Sequence, residues 1–246
     1  MDVENKKVGF LATILIVGLG IASLSIWLFS ELAEELLENE LRHFDNSIIR
    51  LFAAIETPTL DAVYVLITEL GSVWFLTSLT VLILLWLWFK AKDKWGALFF
   101  LIAVGGNGAL TWLLKQLYER ERPSINEAVD AIGFSFPSGH SMGSLVFYGF
   151  ITYLIVRSTQ KKAVKILAFI FFSIIIVLIG TSRIYLGAHF PSDVIAGYLA
   201  GTIWLTLCLL ALEWIQWQSH SQVNPVHALR DLLIASFGAL KQKRDR

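Results

Sequence analysis

Six predominantly apolar stretches, each close to twenty residues, dominate this chain of 246 residues. They lie near Gly9–Phe29, Leu70–Phe89, Trp95–Leu114, Met142–Val156, Ala163–Thr181 and Phe190–Leu212. About 20 apolar residues, at roughly 1.5 Å each, cross about 30 Å of hydrocarbon as a helix. Only helices and closed barrels satisfy every backbone polar group in lipid, and no strand-like alternation runs through these stretches. The expectation is an all-α, polytopic membrane protein with six transmembrane helices in a single membrane-embedded domain spanning residues 1–246. Charged residues make up 16% of the chain, too few to cover a water-facing exterior. The first stretch ends in Trp27, Leu28 and Phe29, where a signal peptide would carry small residues, so it is expected to stay as an uncleaved anchor.

Basic residues set the expected orientation. Lys6 and Lys7 precede the first span, and Lys90, Lys92 and Lys94 join the second to the third. Arg157, Lys161, Lys162 and Lys165 join the fourth to the fifth, and five more basic residues lie in a tail from about Gln216. Together these are 14 of the 20 Lys and Arg residues, all on one side. The positive-inside rule assigns that side to the cytoplasm, with both termini. The tail reads as a short cytoplasmic amphipathic helix with a basic end, suited to anionic lipid. Between the first two spans, Glu31–Glu69 is acidic, and Leu32, Ala33, Leu36, Leu37, Leu41, Phe44, Ile48, Ile49, Phe52 and Ile55 recur at helical spacing. That segment is expected to be amphipathic and extracytoplasmic, either lying on the membrane surface or capping the bundle.

Lys and Arg total 20 against 20 Asp and Glu, which removes any overall electrostatic case for nucleic-acid binding. A single cysteine, Cys208, excludes a disulfide framework or a multi-cysteine metal cluster, and in an apolar span it reads as a small hydrophobe.

The chemistry concentrates at the outward ends of the spans. Lys115 and Arg122 are seven positions apart, near two helical turns, and Pro123 is expected to stop the helix just after Arg122. Taken alone, this segment reads better as a surface helix end with alternating charge. Phe136-Pro137-Ser138-Gly139-His140-Ser141 precedes the fourth span. Backbone N–H groups left free at such a turn make a phosphate nest, with Ser138 adding a hydroxyl and His140 standing at the helix start. The alternative is a plain helix cap followed by an incidental histidine. Ser182-Arg183 and His189-x3-Asp193 join spans five and six. Here Asp193 can orient the His189 ring from one turn away and Arg183 can pair with phosphate, or Asp193 simply caps the helix that Pro191 begins. A metal site is disfavoured because no further acidic or histidine cluster shares this face. A group of cations at a membrane boundary is itself a pointer to an anionic ligand.

Taken together, Lys115-x6-Arg122-Pro123, Pro137-Ser138-Gly139-His140 and Ser182-Arg183-x5-His189-x3-Asp193 resemble the three-part signature of the type 2 phosphatidic acid phosphatase superfamily. Size and topology look most like its bacterial branch of phosphatidylglycerophosphatase B and undecaprenyl diphosphate phosphatases. The resemblance implies a lipid phosphatase of the bacterial cell membrane, facing outward and needing no metal or other cofactor. It makes His189 the nucleophile, Asp193 its orienting partner and His140 the acid for the leaving oxygen. Lys115, Arg122, Ser138, Gly139 and Arg183 would hold phosphate, with Pro123, Pro137 and Ser182 supporting. Its implied substrate is a membrane lipid phosphate or diphosphate, with phosphatidylglycerol phosphate, undecaprenyl diphosphate or both as the candidates and phosphatidic acid as a further one, and its oligomeric state is left open. Opposite protonation states for the two histidines imply a bell-shaped pH–rate profile.

Two rivals remain at this level. One is a phosphotransferase using the same histidines with an acceptor other than water. The other is a lipid transporter, for which Asn107 and Thr111 supply the main intramembrane polar groups. Arg120 is one register from the motif and reads as solvated or paired with a neighbouring Glu. Gly105, Gly106 and Gly108 read as close-packing positions.

Overall fold

The computed structural model describes residues 2–123 and 133–220. Its helices are α1 (Asp2–Leu37), α2 (Arg42–Ala53), α3 (Pro58–Glu69), α4 (Val73–Leu85), α5 (Lys94–Tyr118), α6 (Gly139–Arg157), α7 (Lys162–Tyr185) and α8 (Pro191–His220). A π-helical turn, Trp86–Ala91, extends α4, and no strand occurs among the described residues. Six segments are long and apolar enough to cross a membrane: Leu11–Leu37, Pro58–Ala91, Lys94–Tyr118, Gly139–Arg157, Lys162–Tyr185 and Pro191–Gln218. They match the six expected spans, starting two residues later in the first and one later in the sixth, and run past every expected C-terminal end.

The largest difference lies between the first two spans. Residues Glu31–Leu37 continue α1 without a break, so α2 is the only separate helix before the second membrane segment. That segment starts at Pro58. Thr57 caps α3 by accepting from the Leu60 N–H at 3.3 Å, and Pro58 occupies the first turn, where its missing N–H costs nothing. The chain breaks briefly at Leu70–Ser72 and restarts as α4, where Ser72 accepts from the Phe75 N–H at 3.3 Å. Gly71 is needed at this break because a Cβ there would meet Ile179 Cγ2 at 2.6 Å. Capping residues and a glycine outweigh continuous hydropathy in placing these ends. At the other terminus α8 continues through Gln216 to His220, so no new element begins at Gln216. The expected tail helix otherwise lies outside the described residues.

Transmembrane helices gain little from apolar burial against one another, because lipid is equally apolar; small residues and close contact do that work. Gly106 shows this directly, since a Cβ there would meet Trp204 Cζ2 at 2.3 Å, and the Trp204 indole donates to the Ala103 carbonyl at 2.9 Å. Gly105 and Gly108 have no atom within 4 Å of a Cβ position, so only one of the three expected packing glycines is close-packed. Phe100, Phe147 and Phe150 interlock across α5 and α6. α6 sits centrally, against α4, α5, α7 and α8, while α1 packs along α8. Asn107 and Thr111 are buried toward that interior, and the Thr111 hydroxyl points at Met142 Sδ, 3.1 Å away. Large apolar side chains such as Ile16, Leu66, Val73 and Trp74 are left on the outside, as lipid contact requires.

The alternation of spans brings the C-terminal ends of α5 and α7 and the N-terminal ends of α6 and α8 to one end of the bundle. Phe29 of α1 reaches this end, touching Tyr118 and Phe136, and α2 packs there against α7 and α8. The connections carrying Lys90–Lys94 and Arg157–Lys165 lie at the opposite end.

Candidate active site

Lys115 occupies the last turn of α5, but the helix ends before reaching Arg122. Glu119 takes a left-handed conformation, φ 44°, and its N–H closes back on the Lys115 carbonyl at 3.1 Å. The two-turn helical relation expected between Lys115 and Arg122 is therefore not how they meet. The helix stops four residues before Pro123, and Arg120 and Arg122 stand on a non-helical segment that folds across the bundle end. The Ser135 N–H bonds the Arg120 carbonyl at 2.7 Å, tying this segment to the one that leads into α6. The Lys115 ammonium donates to the Phe134 carbonyl and, at 3.5 Å, to that of Ser135. Arg122 donates through Nε to the Gly133 carbonyl at 2.9 Å and through one terminal nitrogen to the Ala188 carbonyl at 2.7 Å.

At the start of α6, Ser138 is fully buried as the N-cap. Its hydroxyl oxygen accepts from the Ser141 N–H at 3.4 Å and the Ser141 hydroxyl at 2.9 Å. Its own N–H donates to the Asp193 carbonyl at 3.0 Å, locking α6 to α8. Gly197 makes that approach possible, since a Cβ there would stand 2.7 Å from the Ser138 carbonyl oxygen. The helix-cap reading of this motif is thus realised, and Gly139 and His140 follow it in the first turn. His140 is half-buried and within electrostatic reach of Arg183, His189, Arg122 and Lys115.

The α7–α8 connection folds back on the Arg183 carbonyl, which accepts from the Ala188 and His189 N–H groups at 3.0 and 3.1 Å. Gly187 supplies the left-handed turn at φ 66°. The Arg183 side chain is buried, and one terminal nitrogen donates to the Thr68 hydroxyl at 2.8 Å. Ser182 is buried and bonds within its own helix, to the Ile179 carbonyl at 2.6 Å. Pro191 opens α8, so His189 precedes the helix and Asp193 lies in its first turn.

Both readings of Asp193 are realised at once. One carboxylate oxygen accepts from the Phe190 N–H at 2.9 Å, a helix-capping bond, and faces His189 Nδ1 at 3.4 Å. The other His189 nitrogen, Nε2, is 3.1 Å from Arg122. Burial pushes the His189 imidazole down to about 3, with Asp193 opposing and the Arg122 and Lys115 charges adding to the depression. The ring is therefore neutral, with its Nδ1 proton directed at Asp193 and its Nε2 lone pair directed at Arg122.

Lys115, Arg122, His140, Arg183, His189 and Asp193 converge at one end of the bundle, with Ser138 and Gly139 beneath them and Pro123, Pro137 and Ser182 in the supporting turns. Three further residues belong to the cluster. Arg120, expected to be solvated, is largely buried and pairs with Asp193 at 2.6 Å and with Asp45 at 2.7 Å. Neither partner is a neighbouring Glu. Asp45 of α2 and Thr68 of α3 were not singled out. Asp45 left one sequence signal, an acidic residue in register with Leu41, Ile48 and Ile49 on the apolar stripe. Thr68 left none.

The PAP2 superfamily model matches residues 96–217, which contain all three motifs. The chain is 37% identical over 180 residues to phosphatidylglycerophosphatase B of Bacillus subtilis, covering 71% of this chain and 86% of that protein. It is 29% identical over 175 residues to the undecaprenyl-diphosphatase of Sulfolobus acidocaldarius, covering 69% and 79% respectively. The crystal structure of the transmembrane PAP2-type phosphatidylglycerolphosphate phosphatase from Bacillus subtilis superposes with a TM-score of 0.72 at 31% identity, covering 82% of this chain and 98% of that one. With the motifs, the six spans and the superposition in agreement, the chain belongs to the PAP2 superfamily, as a multi-pass membrane phosphatase.

Proposed function

We propose that the chain hydrolyses a lipid phosphate or diphosphate, with phosphatidylglycerol phosphate and undecaprenyl diphosphate as the leading substrates, through a phosphohistidine on His189. The observation that carries this reading is the state of His189: neutral, backed by Asp193 at Nδ1, with Nε2 facing a cationic cluster. In the resting site Arg122 occupies the Nε2 lone pair. An entering phosphate offers that guanidinium stronger, charged acceptors, which would draw it off and free the lone pair. Nε2 then attacks phosphorus while the bond from phosphorus to the leaving oxygen breaks, and His140 gives that oxygen a proton. Water attacks the phosphohistidine next, His140 takes the water proton, and inorganic phosphate leaves with His189 restored. Lys115, Arg122 and Arg183 neutralise the nonbridging oxygens throughout. Among the described residues, no three of the His, Cys, Asp and Glu side chains group as a metal site, and this reading assigns charge neutralisation to the cations.

The distribution of basic residues supports an outward-facing site and cytoplasmic termini in a bacterial cell membrane. A lipid head group would then meet the cluster at the membrane–water boundary while its tail stays in lipid. The test is phosphate release by purified protein from phosphatidylglycerol phosphate, undecaprenyl diphosphate and phosphatidic acid. Release from at least one of them, abolished in His189→Ala and unchanged by exhaustive chelation, is expected. No release from any of the three, or release that survives His189→Ala, would overturn the reading.

A further inference from the structure

Asp45 is 1% exposed on a helix that otherwise lies half-open on the bundle end. A carboxylate is not buried without strong compensation, and its partners here are specific. One oxygen accepts from the Ser192 N–H at 2.9 Å, an otherwise unsatisfied donor in the first turn of α8. The other accepts from the Ser192 hydroxyl at 2.8 Å and from Arg120 at 2.7 Å. The second terminal nitrogen of Arg120 donates to the Ser192 hydroxyl at 2.7 Å and to Asp193 Oδ1 at 2.6 Å. The guanidinium also lies over the Phe190 ring, 4.0 Å from its centre. Among the described residues, the donors to the Asp193 carboxylate are His189 and Phe190 on one oxygen and Arg120 on the other.

We propose that Asp45, acting through Arg120, is a positioning residue for the His189–Asp193 pair, so that α2 sets the orientation of the nucleophile from outside the motif region. The inference rests on the assignment of His189 as nucleophile. Asp45 lies outside residues 96–217, so the family match does not include it. Two carboxylates share one guanidinium fork, and the geometry works only while both are charged. With Asp45 neutral, Arg120 has a single anionic partner and is drawn onto Asp193, turning that carboxylate away from Nδ1. The effect falls on the chemical step. The phosphate-holding cations are held by other groups, Lys115 by the Phe134 and Ser135 carbonyls, Arg122 by those of Gly133 and Ala188, and Arg183 by Thr68, so substrate binding is left in place.

The experiment compares wild type, Asp45→Asn, Arg120→Gln and the double variant as purified full-length chain, with dioctanoyl phosphatidic acid as probe. Removing an outer partner of an oriented catalytic group typically costs about 10- to 100-fold, so a kcat loss of that order is expected for Asp45→Asn. KM should stay within about threefold, and the double variant should lose little more than the worse single one, because coupled residues are not additive. A kcat within about twofold of wild type, losses that multiply, or a loss confined to KM would overturn the proposal. If Asp45→Asn aggregates, Arg120→Lys serves. It keeps the charge but lacks the planar fork whose two terminal nitrogens reach Asp45 and Asp193 separately, so kcat should fall with KM held, and wild-type turnover would count against the bridge.

Wild-type turnover and its loss in His189→Ala read the functional assignment separately. Should wild type itself prove inactive, the His189 Nδ1–H resonance in protein labelled with ¹⁵N-histidine still decides. It moves in Asp45→Asn if the relay exists and stays fixed if it does not.

Discussion

At the scale of single residues, the site rests on one imidazole stripped of water. Burial pushes the His189 imidazole down to about 3, so the nucleophile proposed above is not lost to protonation anywhere in the usual histidine range. The sign follows directly: a depressed value leaves the neutral, attacking form present above it and loses that form only as pH falls through it. The acid side of the kcat/KM profile should show no His189 titration near pH 6.5, and pH–rate measurements on the wild-type protein from pH 4.5 to 9 check this. The acid limb expected from an ordinary histidine at position 189 is correspondingly absent. Asp193→Asn removes the charge that orients Nδ1 and should lower kcat by about 10³–10⁴-fold, by analogy with the aspartate of a serine-protease triad; single-turnover assays read it. The motif residues were legible because each segment carries its chemistry within a few positions. Arg120 was not legible, because its partners Asp45 and Asp193 are 75 and 73 residues away, whereas the nearest acidic neighbours in sequence are Glu119 and Glu121.

Elements succeed or fail at their ends. Hydropathy showed that a helix runs up to Lys115, but not that Glu119 would turn left-handed and release Arg120 and Arg122 to fold across the bundle end. Likewise, Thr57 and Pro58 start α3 well before the hydrophobic maximum, and Gly71 breaks the segment for a steric reason supplied by α7. Such ends depend on which backbone meets which side chain, a property that single-sequence periodicity does not contain. The α6–α8 contact yields a sharp test. A methyl group on Gly197 would press on the Ser138 carbonyl, which is backbone and cannot swing away. Gly197→Ala should therefore cost about 1–3 kcal/mol, together with activity, since Ser138 leads directly into His140. Gly105→Ala meets nothing within 4 Å and should be neutral or stabilising by about 0.5–1 kcal/mol through helix propensity. Thermal unfolding of both variants in one detergent compares them.

For the molecule as a whole, six spans were legible from composition because crossing lipid is a length-and-polarity problem solved locally along the chain. The convergence of three distant motifs on one end also follows from counting spans, since each crossing reverses direction. What counting does not show is that α2 docks back onto α7 and α8 and inserts Asp45 beside the His189–Asp193 pair. Orientation is checked in a Cys208→Ala background, Cys208 being buried. Asn46→Cys on α2 should react with an impermeant maleimide in intact cells, and Lys92→Cys only after permeabilisation. The reverse pattern would place the cluster on the cytoplasmic side. The claim on which everything else depends is a covalent phosphorus–nitrogen bond at His189. Rapid alkaline quench of the wild-type protein during turnover of ³²P-labelled lipid phosphate should trap an acid-labile, alkali-stable phosphoenzyme mapping to the peptide that contains His189. A catalytically active protein that yields no such adduct, or one whose label persists in His189→Ala, would contradict it.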